Sequence, residues 1–130
     1  MSDYDKVTFL LIGEIPEFAP ETDSIDLPYI VAGDFARFLL DAFRENNLVL
    51  VKRGLTFIEN LHASDDEKVR ELATVGYLED IQNVWGNNGV DPELIFPMLG
   101  KESKKWWMEL NKFWDGQINY IGETYAIDQV

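Results

Sequence analysis

The sequence predicts an all-α fold: one domain over residues 1–130, built as a compact helical bundle or orthogonal array of about five to six helices. Three observations carry that expectation. Apolar residues recur at three- and four-residue intervals along most of the chain, Gly, Pro and Asn fall where helices start and stop, and only residues 48–51 read equally well as a short strand.

Asp3 is placed to cap an opening helix over about residues 5–14. Val7, Leu10 or Leu11, and Phe18 follow its spacing, while Pro16 and Pro20 limit its extent. Residues 17–26 hold Glu17, Pro20, Glu21, Asp23 and Asp26 with little periodicity, and read as a solvated acidic connector, the least core-like part of the chain. Pro28 suits a first-turn position, and Tyr29, Ala32, Phe35 or Ala36, Leu39 or Leu40, and Phe43 then mark a second helix that ends near Asn46 and Asn47. Leu48, Val51, Leu55, Ile58 and Leu61 share one face of a third helix of about sixteen residues, a length that favours helix over strand.

Ser64 and Glu67 form a capping-box pattern, so a fourth helix is expected to begin at Ser64. Asp65 and Asp66 suit the positive end of its dipole, and Val69, Leu72 or Ala73, Gly76 or Tyr77, Ile81 and Trp85 form a broad buried stripe. Gly86, Asn87, Asn88 and Gly89 tolerate the positive φ of a tight reversal, after which Asp91 caps a short helical piece starting at Pro92. Gly100 closes it. A final helix over about residues 102–120 carries Trp106, Leu110 and Phe113 beside Trp107, Trp114, Ile118 and Ile121, with a fraying tail after Gly122.

Charge sets the functional expectations. The chain has 24 acids against 11 Lys and Arg, a net charge of −13, with one histidine and no cysteine. From Met1 to Asp34 eight acids stand against Lys6 alone, a local charge of −7. Such a field repels nucleic-acid phosphates and anionic lipid and attracts basic proteins. No apolar run approaches the roughly 20 residues of a membrane span. Asp3 and Asp5 stand where a secretory leader would be cationic, so a cytoplasmic protein is expected.

The constellations that carry chemistry are thin. Glu59 and His62 have the Glu-x-x-His spacing of di-metal bundles, but the second histidine such a site requires is missing. An exposed or capping His62 near a helix end is the better account. Asp3, Asp5 and Glu14 fit the first, third and twelfth places of a calcium loop, yet Val7 holds a ligand place and Thr8 stands at the glycine turn. Asp65 with Asp66, and Glu79 with Asp80, are adjacent on helices and so do not face each other. No phosphate-binding glycine loop and no Gly-x-Ser-x-Gly elbow occurs. Lys101, Lys104 and Lys105 beside Trp106 and Trp107 could stack bases, but on so acidic a chain they read as core tryptophans flanked by solvated lysines. No catalytic residue, cofactor or metal ligand is assigned.

Leu27-Pro28-Tyr29, the segment from Gly33 to Leu39, the segment from Val75 to Ile81 and the segment from Leu99 to Trp107 together resemble an uncharacterised family of small bacterial helical proteins. The resemblance implies architecture and carries over no catalytic residue. In size and acidity such proteins are similar to the immunity proteins encoded beside secreted bacterial toxins. On that analogy the chain is expected to be a non-enzymatic binding protein that neutralises a basic toxin domain. Glu17, Glu21, Asp23, Asp26 and Asp34 would steer the encounter, and an apolar or aromatic anchor at their edge would hold it. A regulatory or adaptor domain on a housekeeping protein is the alternative, and a metal-dependent enzyme built around His62 is a third reading.

Overall fold

A computed structural model describes residues 3–114, with the exception of the Thr22 side chain. Its elements are α1 (Asp3–Glu14), a short 3-10 turn (Thr22–Ser24), α2 (Pro28–Arg44), α3 (Leu48–His62), α4 (Glu67–Glu71), a π-helical segment (Leu72–Leu78), α5 (Glu79–Asn87), a 3-10 segment (Pro92–Met98) and α6 (Lys101–Trp114). Among the described residues there is no strand, so residues 48–51 open α3 as their length suggested. The far end of the last expected helix and the tail after Gly122 lie outside the described residues.

Local chemistry accounts for the boundaries. At the close of α2, Asn46 takes a left-handed φ of 60° and the Asn47 amide reaches back to the Ala42 carbonyl at 2.8 Å. Asn47 then caps α3, its side chain accepting from the Leu50 amide. The start of α4 departs from the expected capping box. Asp66 is the cap, accepting from the Lys68 amide at 2.9 Å, and the Ser64 hydroxyl instead accepts from the Asp66 amide. A carboxylate two residues closer to the helix satisfies an orphan first-turn amide and places an acidic side chain at the positive end of the dipole. Gly89 makes the expected reversal at φ 77°, and Asp91 caps the 3-10 segment through the Glu93 amide.

Helix α4, the π segment and α5 form one continuous run. The wide turn appears where the Glu79 amide donates to the Thr74 carbonyl five residues back. It buries residues almost all round, Leu72, Ala73, Thr74, Gly76, Tyr77 and Leu78, because it is wedged against α2, α3 and α6. Trp85 closes the run, its indole N–H donating to the Ala36 carbonyl at 3.0 Å. The buried side chains of all the helices join in one hydrophobic cluster.

One aromatic placement was not evident from spacing. Phe18 does not extend α1. It drops from the connector into the core and meets Phe35 and Phe38 edge-on at 5.1 and 5.3 Å between ring centroids. Trp106 and Trp107 are both buried, which makes them core rather than surface, with Lys105 lying over the Trp106 ring. Trp107 donates to Glu93 and so ties α6 to the 3-10 segment.

Glycines test this packing in opposite directions. A methyl group at Gly54 would meet Leu39 Cδ2 at 2.7 Å and Phe35 Cζ at 3.0 Å, where α3 lies closest to α2, whereas nothing lies within 4 Å of one at Gly13. Gly54→Ala is expected to destabilise the protein by about 1–2 kcal/mol through overpacking. Gly13→Ala is expected to stabilise it by up to about 1 kcal/mol through helix propensity. Urea unfolding midpoints for the two variants check both signs.

Candidate functional site

The one histidine sits in a buried polar chain rather than at an exposed helix end. His62, 5% exposed, pairs Nδ1 with Ser103 Oγ at 3.1 Å and Nε2 with Thr74 Oγ1 at 3.0 Å. A neutral imidazole has one donor and one acceptor, and two rotatable hydroxyls complement either tautomer. Burial drives the His62 pKa down to about 4, against weaker support from Glu59 and the Ile58 carbonyl. Three elements are thus joined at one ring: α3 through His62, the π segment through Thr74 and α6 through Ser103.

Glu59, one turn before His62, completes the arrangement. Its carboxylate accepts from the Glu102 amide at 3.1 Å and the Ser103 amide at 2.9 Å, and so caps α6 from a different helix. Partial burial opposes ionisation of this carboxyl, but these amides, the Ser103 hydroxyl and His62 together hold its pKa below the usual carboxylate value. Gly100 makes the approach possible, since a Cβ there would lie 2.3 Å from Glu59 Cδ. The Glu-x-x-His pair is therefore spent on helix packing, and Ser103 is fully buried beneath it. Among the described residues no group of three or more His, Asp or Glu could hold a metal ion. Asp3, Asp5 and Glu14 lie along helix α1, so they do not form a calcium loop.

A second group of titrating acids lies between α2 and α5. Burial, reinforced by Glu79 and countered by Arg37, pushes Asp80 up to about 6, and burial alone raises Glu79. Arg37 is also paired with Asp34. The expected partner-binding acids consequently divide. Asp34 is engaged by Arg37, and Glu17 by Arg53 through contacts of 2.5 and 3.1 Å. The Arg53 hydrogen bond holds Glu17 below the usual carboxylate pKa. Glu21, Asp23 and Asp26 are exposed and form no ion pair among the described residues.

Beside those three acids the structure places an apolar edge that residue spacing did not reveal. Phe9 is 54% exposed on α1, and Leu27, Tyr29 and Ile30 are exposed at the start of α2. A cleft of about 270 Å³ between these helices is lined by Tyr4, Asp5, Phe9, Ile25, Asp26 and Pro28. Tyr4 and Tyr29 share an adjoining cleft with Lys68 and Glu71. The signal was available in α1 itself, where Val7, Phe9, Leu10, Leu11 and Ile12 cover more of the circumference than one buried face can absorb. Among the described residues no helix is long and apolar enough to cross a membrane.

The buried histidine makes a prediction with a definite sign. Because the folded His62 pKa lies below the unfolded 6.5, the unfolded chain binds the extra proton between pH 6.5 and about 4, and stability falls as pH falls through that window. Asp80 acts in the opposite sense, since its raised pKa makes the folded state the better proton binder between 3.8 and about 6. His62→Gln is therefore expected to lose roughly 2–3 kcal/mol less stability than the wild type on going from pH 7 to pH 4. Urea midpoints for the two proteins at both pH values measure the difference.

No curated protein and no solved structure matches the chain. Residues 9–115, spanning α2 through α6 and the exposed end of α1, match the family model described as Domain of unknown function (DUF7674), and the chain belongs to that family.

Proposed function

We propose that this protein is a non-catalytic binding domain whose acidic α1–α2 edge captures a basic protein, and that it serves as the immunity partner of a bacterial toxin. The observation that carries the reading is the adjacency of exposed acids and exposed apolar rings: Asp26 lines the same cleft as Phe9, with Glu21 and Asp23 in the connector that leads to it. Charge speeds an encounter and selects for a basic partner, but in water it contributes little lasting affinity. Aromatic and aliphatic surface supplies that affinity when covered, at about 25 cal/mol per Å² removed from water. An edge that combines the two suits rapid capture followed by slow release, which is what neutralising a toxin demands.

The buried polar chain gives the same domain a rigid back. With α6 held on α3 by Glu59, the face presented by α1 and the connector rests on a fixed scaffold. An adaptor role on a housekeeping protein would use the same surface, and the partner's identity separates the two readings.

Co-expression with a toxin gene from its own genetic neighbourhood is expected to restore growth, and the purified pair is expected to associate. Neutralising Glu21, Asp23 and Asp26 together, as E21Q, D23N and D26N, is expected to slow association at least tenfold at low salt and to flatten its dependence on ionic strength. Stopped-flow association rates across a salt series provide the check. Absence of growth rescue and of association would refute the toxin reading.

A further inference from the structure

Helix α1 is oriented in a way that its own sequence does not require. Thr8 is 2% exposed with its hydroxyl unpartnered among the described residues, while its neighbour Phe9 is 54% exposed. An unsatisfied buried hydroxyl costs about 1–3 kcal/mol, and half of a phenylalanine left in water forgoes about 1 kcal/mol more. Both effects oppose this orientation in an isolated chain. The compensation expected for such a conflict is a partner that covers the exposed face.

The cleft beside Phe9 indicates the chemistry of that partner. Two of its walls are aromatic, Phe9 and Tyr4, two are aliphatic, Ile25 and Pro28, and its two acidic side chains are Asp5 and Asp26. An aromatic face attracts a cation within about 6 Å of its centroid, and carboxylates accept the paired N–H groups of a guanidinium. At about 270 Å³ the cleft is smaller than the roughly 300–1,000 Å³ of drug-sized ligand sites, and suits a side chain rather than a cofactor. Tyr4 senses one of these two acids: its phenol is held above its ordinary pKa by burial first, then by Asp5 and by Glu71 of the adjoining cleft. The nearest cation in the adjoining cleft, Lys68, shares that cleft with Glu71.

We infer that the cleft bounded by Tyr4, Asp5, Phe9 and Asp26 is a pocket for an arginine side chain of the partner protein. The guanidinium stacks on Phe9 and donates to Asp26, and its aliphatic stem lies on Ile25 and Pro28. Arginine fits better than lysine because a planar, weakly hydrated group can stack on a ring and pair with a carboxylate at the same time. The inference rests on the protein-binding reading above and names its anchor.

N-acetyl-arginine N-methylamide is titrated into the full-length ¹⁵N-labelled chain, with the neutral citrulline counterpart in parallel, and amide shifts are followed by NMR. Saturable shifts are expected at Tyr4, Phe9, Ile25 and Asp26, at least fivefold weaker for citrulline and at least fivefold weaker in both Phe9→Ala and Asp26→Asn. Phe9→Leu, which keeps the apolar volume without the ring, is expected to weaken arginine binding as well, and the spectrum of each variant reports its folding directly. Shifts spread evenly over exposed acids, equal binding of citrulline, or binding unaffected by all three variants would overturn the inference. So would a dimer of this chain that Phe9→Ala dissociates, which would make a second copy the occupant. If arginine fails to bind here while growth rescue holds, the pocket falls and the immunity reading stands. If arginine binds and rescue fails, the reverse is true.

Discussion

The carboxylate of Glu59, set against the first amides of α6, is the contact on which most of the arrangement depends. It supplies from another helix the cap that the sequence before α6 does not provide, where Gly100 has no side chain to offer. A helix N-terminus left bare in a part-buried setting leaves several amides unsatisfied, so this one contact fixes where α6 starts and how closely it approaches α3. Ser103 then falls on His62, Thr74 closes the other side of the ring, and Trp106 and Trp107 reach the core. The missing methyl at Gly100 is as much a part of the joint as the carboxylate, because any Cβ would occupy its place.

The α1 edge is built on a different principle. There α1 contributes Val7 and Leu11 to the core but leaves Phe9 and Leu10 exposed, and the connector that follows is anchored where Ile15 and Phe18 turn inward and where Glu17 meets Arg53. An interior joined by hydrogen bonds and an edge rich in uncovered apolar surface and acids suit the proposed division between holding shape and meeting a partner. Ion pairs sharpen the division. Arg53 and Arg37 occupy Glu17 and Asp34, while Glu21, Asp23 and Asp26 are exposed and form no ion pair among the described residues.

Much of the fold was legible because periodicity reports burial directly. The stripes of α2 and α3 fell on the core except at their first residues, where Tyr29 and Leu48 are exposed, and the Asn46–Asn47 and Gly89 turns were readable from residues that tolerate positive φ. What escaped the sequence was set by tertiary contacts. Ser64 and Asp66 both have capping chemistry, and only the path of the chain chose between them. The π turn is invisible to a helical template, because its apolar residues repeat at the same three- and four-residue steps as those of an α-helix. Glu59 and His62 were singled out for the right spacing and the wrong purpose, since nothing local shows that Ser103 and Thr74 meet the ring. The acids of the candidate surface were legible as charge. Their division into paired and unpaired groups, and the ring of Phe9 beside them, required three dimensions.

The proposed partner lands on the α1–α2 edge while the Glu59 joint stays closed, and hydrogen exchange with and without the proposed toxin partner is the sharpest test. Added protection is expected across α1 and residues 21–30, with the amides of α6 unchanged. Protection gained instead along α6 or α5, with α1 unaffected, would contradict that placement.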